Sequence, residues 1–157
     1  MSVKLLFSTR RGIFSRAVRF ITWSKYSHVD MIVGNKVIGA SAMNGVEMIS
    51  LDDRLDAAYR WVIYEVPMQM INDPDDVYRI ISSQIGKPYD YTGILGFLFH
   101  RDWQKEEHWF CSELIAWAFC KAGINLLSDR VRKSRIAPEH LLMSPIINKL
   151  ESSDEQT

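Results

Sequence analysis

The stretch from residue 28 to residue 67 most narrows the folds open to this chain. HVDMIV (28–33) and KVIGASA (36–42) are short and rich in β-branched residues. Gly34-Asn35 between them has the composition of a hairpin turn. Asn44-Gly45 marks a second turn and VEMISL (46–51) a third strand. RWVIYEV (60–66) alternates apolar and polar residues and stops at Pro67. Ahead of this meander, VKLLFS (3–8) reads as a buried strand.

Helical patterns flank the meander. Gly12 opens IFSRAVRFITW (13–23), in which Ile13, Phe14, Ala17, Val18, Phe20 and Ile21 form a helical stripe with Arg16 and Arg19 off it. Packing of Ile13, Val18 and Ile21 on the sheet is the plainest use of that stripe. Asn72-Asp73-Pro74 is a helix start, and the helix is expected to run to Gly86. Residues 87–107 are aromatic and contain glycine, and periodicity alone does not assign them. Phe110 to Ala122 is a strong helix pattern stopped by Gly123. Pro138 and Pro145 bracket one more short segment, EHLLMS. The expectation is an α+β protein.

A chain of 157 residues is one domain, taken as residues 1–150, with ESSDEQT (151–157) as a frayed acidic tail. Apolar residues at 47% and charged residues at 24% exclude a disordered, collagenous or coiled-coil chain. Nineteen basic residues balance nineteen acidic ones, so no general attraction to nucleic acid is expected. The balance is uneven along the chain: Lys4, Arg10, Arg11, Arg16, Arg19 and Lys25 all precede the first acid, Asp30. Residues 10–25 therefore have a second reading, as a basic amphipathic helix in weak contact with anionic lipid. No uncharged apolar run approaches the roughly 18 residues of a membrane span. Arg10 and Arg11 interrupt any signal core, and two cysteines are too few for a disulfide framework. A soluble, cytoplasmic protein is expected.

Cys111 stands where the helical pattern of HWFCSELIAWAF begins. A thiol there meets the positive end of the helix dipole and unpaired N–H groups, which favour thiolate and could hold a developing oxyanion. Taken alone, Cys111 is equally a small buried hydrophobe. Cys120 lies nine residues on, on the opposite helix face at roughly 100° per residue, and reads as packing. A cysteine nucleophile needs a base, and His28, opening a strand, would hold an imidazole rigidly. His108 is three residues from Cys111 and reads as loop surface, while His100 and His140 have no suggestive neighbours. No C-x-x-C or H-E-x-x-H spacing supports a metal, and no cofactor is expected.

The ordered segments resemble the circularly permuted NlpC-type, papain-like cysteine hydrolases. Ser15, Val18, Thr22, Ser24, Tyr26, Ser27, His28 and Val29 match a helix leading to a T-x-S-x-Y-S-H-V strand. Gly86, Tyr89 and Asp90 resemble the family's G-x-x-Y-D element. Phe110, Cys111, Ser112, Glu113, Leu114 and Ile115 resemble its F/Y-C-S-E-L-V/I signature, and IAPEHLLMSP its closing segment. The match covers most of residues 3–145, and lecithin:retinol acyltransferase-like proteins share the order. The resemblance implies an antiparallel sheet packed against helices, with the Cys-bearing helix on the sheet. It implies Cys111 as nucleophile and His28 as base, acting through an acyl-thioester on a peptide or acyl amide or ester. Tyr26 and the backbone N–H of Ser112 would help bind the oxyanion.

One position departs from the pattern. The family places a polar residue that orients the imidazole on the strand after the His strand, and here that position is Gly39. Ser41, on the face of Gly39, is the nearest substitute on that strand; Asp30, on the face of His28, is another, and a water molecule a third. The glycine also supports an alternative function, a binding module that kept the fold and lost the chemistry. A lipid acyl hydrolase or acyltransferase at a membrane surface is a further alternative.

Overall fold

The strand and turn signals form one antiparallel sheet in the computed structural model, which describes residues 2–90, 109–128 and 136–155. The elements in chain order are β1 (Val3–Arg10), α1 (Ile13–Thr22), β2 (His28–Val33), β3 (Lys36–Ser41), β4 (Gly45–Ser50), α2 (Leu51–Asp56) and β5 (Ala58–Val66). A 3-10 turn (Met68–Met70) leads to α3 (Pro74–Ser82), α4 (Cys111–Lys121), α5 (Pro138–Leu142) and β6 (Asn148–Ser152). The six strands lie in the order β4-β3-β2-β1-β5-β6.

Two glycines set the hairpins. Gly34, at φ 62°, closes the two-residue turn that pairs Val33 with Lys36. Gly45, at φ 72°, faces the Lys87 carbonyl so closely that a Cβ would stand 2.2 Å from its oxygen. The approach is a bond: Val46 N–H donates to Lys87 O at 2.8 Å, and Gly86 N–H donates to Val46 O at 2.8 Å. The segment leaving α3 is thereby stitched to β4. The Asp73 carboxylate caps α3 by accepting from Asp75 N–H at 2.9 Å. The helix ends at Ser82 and reaches Gly86 only through turns, four residues short of the expected end.

Alternation along the strands divides the core. Leu5, Phe7, Val29, Met31, Ile38 and Ala40 point to one face and pack with Val77, Ile81, Leu114, Ile115 and Phe119 of α3 and α4. Leu6, Ile32, Val37 and Ile63 point to the other face, with Leu51 and Leu55 of α2 over them. Each such side chain fully removed from water contributes about 1.5–3 kcal/mol. The Cys-bearing helix thus lies on the sheet, as the resemblance implied.

Three expectations change. Residues 151–155 do not fray: β6 pairs with β5, and the Ser153 hydroxyl accepts from Trp61 N–H at 3.1 Å and donates to Trp61 O at 3.2 Å. β4 ends at Ser50, one residue before the expected end, and α2 follows over Leu51–Asp56, where no helix was expected. The stripe of α1 meets the core only in part: Val18 packs there as expected, Ile21 is half-buried, and Ile13, Phe14 and Phe20 are exposed. Most of the unassigned segment 87–107 lies outside the described residues.

Candidate active site

The link from α1 to β2 is a run of small hydroxyl residues, each tied down. Ser15 and Ser27 join their hydroxyls at 2.7 Å in a buried bond. Ser27 N–H donates to Ser8 O at 3.1 Å, and Tyr26 N–H donates to Ser24 Oγ at 3.1 Å. The Glu139 carboxylate of α5 accepts from the Ser24 hydroxyl at 3.2 Å. These ties fix the chain just before His28, so the imidazole leaves the first residue of β2 from an anchored backbone.

His28 Nε2 lies 2.8 Å from Asp30 Oδ1. Its other partner is the Cys111 side chain, which meets it both as a hydrogen-bond partner and as a charge. With Nε2 facing the carboxylate, Nδ1 is the nitrogen left for the sulfur. Cys111 is the first residue of α4 and is buried. Phe110, the N-cap, makes no side-chain cap hydrogen bond to the first turn.

Behind the imidazole lies a buried charge network. Arg54 of α2 is 1% exposed; its Nε stands 3.0 Å from Asp30 Oδ2 and its terminal nitrogen 3.7 Å from Glu47 Oε1. Burial by itself lowers an imidazole pKa; the Asp30 carboxylate, by charge and hydrogen bond, and the Cys111 sulfur overcome it, and His28 is pushed up to about 9. Burial likewise favours a neutral Asp30, yet the imidazolium, Arg54 and Arg10 hold it below the usual carboxylate range. The arrangement keeps the imidazole protonated beside the sulfur at neutral pH.

Gly39 explains why the carboxylate comes from β2. One step beyond the Met31–Ile38 pair, Gly39 faces Asp30 across the strands. A Cβ there would stand 1.9 Å from Asp30 Oδ1. The missing side chain is the space that the carboxylate occupies. Of the three substitutes for the family's orienting residue, Asp30 is the one on the imidazole. Ser41 is not: its hydroxyl accepts from Asn44 N–H at 3.2 Å and holds the β3–β4 turn. The volume above Gly39 selects Asp30.

Other expected residues fall elsewhere. Tyr26 packs on Phe7 and lines a groove of about 380 Å³ with Val62, Tyr64, Lys149 and Asp154. Burial and the charge of Asp154 raise its pKa above the ordinary phenol value, and no contact with Cys111 or His28 is among its described interactions. The groove sets it against residues of β5 and β6. The Ser112 hydroxyl donates to the Ile136 carbonyl, tying α4 to the segment before α5. His140 Nδ1 accepts from Ala137 N–H at 2.9 Å and caps α5. His100 and His108 lie outside the described residues. Arg54 was not foreseen. The signal is present nonetheless: Leu51, Arg54 and Leu55 stand at i, i+3 and i+4, which puts a cation on the apolar stripe of a short helix.

Among the described residues no three His, Cys, Asp or Glu side chains converge as metal ligands. No helix among them is long and apolar enough to cross a membrane.

A family model described as a permuted papain-like amidase enzyme, YaeF/YiiX, C92 family, matches residues 4–147. The chain is 24% identical over 150 residues to a probable lipoprotein peptidase, YaeF, of Escherichia coli K12. That alignment covers 76% of this chain and 55% of the relative, so the chain spans about half the length of the curated protein it matches. The crystal structure of the metalloprotein YiiX from Escherichia coli O157:H7 superposes with a TM-score of 0.71 at 16% identity, over 98% of this chain and 97% of that one. At that identity the likeness is one of fold.

Proposed function

The chain belongs to the permuted papain-like amidases of the YaeF/YiiX, C92 family, and from that premise we propose that it is a cysteine hydrolase of amide or ester bonds. The observation that carries the reading is the row Cys111–His28–Asp30, with the imidazole between sulfur and carboxylate.

In this reading His28 holds the proton of Cys111, leaving a thiolate at the start of α4. The sulfur attacks the substrate carbonyl, and the oxyanion takes N–H groups of the first helical turn. His28 gives its proton to the leaving amine or alcohol as the tetrahedral intermediate collapses to a thioester. A water molecule, losing its proton to the now neutral imidazole, attacks the thioester and releases the acid. Asp30 keeps the ring aligned and stabilises the imidazolium throughout. Asp30 in the space that Gly39 leaves favours this reading over a binding module that lost its chemistry.

The test is capture of the thioester. The protein is mixed with activated acyl esters and peptide amides, quenched in acid, and its intact mass measured. An acyl adduct mapped to Cys111, absent from Cys111→Ser and with slowed formation in His28→Ala, is expected. Turnover that survives Cys111→Ser would overturn the proposal.

A further inference from the structure

We propose that the outward face of α1 is a docking surface for an anionic lipid bilayer. An amphipathic helix on a globular protein ordinarily turns its apolar stripe to the core. α1 turns Val18 inward and leaves the Ile13–Phe20 side of its stripe outside. Its buried residues are Ser15 and Val18, held by the Ser15–Ser27 bond and by the Thr22 hydroxyl on Val18 O at 2.7 Å. Ile13 and Phe20, at i and i+7, are 86% and 82% exposed. Trp23, just past the helix, is 90% exposed. It is held at φ 53°, the left-handed region that a bulky side chain rarely adopts.

Charge decides the kind of partner. Arg11 and Arg16 are exposed beside this stripe, and Arg19 lies at its edge over the Tyr59 ring. No acidic residue precedes Asp30 in the sequence. Protruding aliphatic and aromatic side chains ringed by arginine fit the boundary between acyl chains and anionic headgroups, where tryptophan also settles. A second copy of the chain fits poorly, because a two-fold contact through this face would set the arginines against themselves.

The surface adjoins the catalytic row. Phe14 meets Tyr89 edge-on at 6.2 Å, and Tyr89 meets Phe110, the N-cap of the Cys111 helix, at 5.9 Å. A bilayer under α1 would place the acyl or peptide substrates of a membrane surface next to Cys111. Docking itself follows from exposure and charge and does not require the chemistry at Cys111.

The test is co-sedimentation of the full chain with vesicles of phosphatidylcholine alone and of phosphatidylcholine with phosphatidylglycerol. Binding to the anionic vesicles, weakening as salt rises, is expected, with a blue shift of emission that is lost in Trp23→Phe. Burial of each large apolar side chain is worth about tenfold or more, so Ile13→Ser/Phe20→Ser lowers partitioning by about 100-fold. Arg11→Gln/Arg16→Gln lowers it by about thirtyfold. Both double variants keep the rate of Cys111 alkylation, which separates loss of docking from loss of the site. Absence of vesicle binding, or equal binding by Ile13→Ser/Phe20→Ser, overturns the proposal. So does a concentration-dependent dimer, abolished by the same variant, in a protein that ignores vesicles.

Discussion

Gly39→Ala adds one methyl group and is expected to disconnect His28 from its carboxylate. The new Cβ would stand 1.9 Å from Asp30 Oδ1, about 1.5 Å inside ordinary van der Waals contact. The other near neighbour, the Val29 carbonyl at 3.3 Å, belongs to the backbone of β2, so the carboxylate is the group that must move. A shift of that size takes the 2.8 Å bond to His28 Nε2 beyond hydrogen-bonding range. The lost charge-assisted bond and the overpacking each cost roughly 1–3 kcal/mol. The sharper consequence is for the proton. Burial lowers the imidazole pKa and Asp30 is its chief opponent, so the midpoint should fall from about 9 to the ordinary 6.5 or below. That fall corresponds to about 3 kcal/mol of lost preference for imidazolium. Imidazole resonances titrated by NMR, with His28→Ala to assign the signal, measure it directly. A folded Gly39→Ala protein whose His28 still titrates near 9 would refute the reasoning, because something other than Asp30 would then hold the proton.

Two further predictions concern the same network. Arg54→Met removes one partner of a buried pair and is expected to cost about 3–5 kcal/mol in urea unfolding; a loss under about 1 kcal/mol would show that Arg54 is not what the Asp30 carboxylate depends on. The pH dependence of stability follows from His28: its folded pKa lies above its unfolded one, so its contribution is complete below about 6.5 and is lost as pH rises through about 9. Unfolding free energies of the wild type minus those of His28→Ala should therefore shrink over that window, and a difference independent of pH would contradict the raised value.

How much of this was readable beforehand varied with the physics involved. Strands β1 to β5 were legible because alternation and glycine turns are local properties of the chain. β6 was not, since NKLES is polar at four of its five positions and gains its order by pairing with β5. The position of α1 was legible and its orientation was not: a stripe shows that a helix has an apolar face, never what that face meets. His28 and Cys111 could be named from the family pattern. The choice between Ser41 and Asp30 depended on a cavity, and a cavity belongs to two strands at once. Arg54 was hidden by its neighbours, because LDDRLD has the composition of a surface helix while its leucines and arginine share one side.

The strand order has a consequence for synthesis. Five adjacent strands, β4 through β5, are all drawn from the first 66 residues, and His28, Asp30, Arg54 and Glu47 all ride on them or on α2. The face of these strands that packs on α3 and α4 is completed only by residues after 73, so the charge network and the nucleophile reach the site from the two ends of one late-closing core.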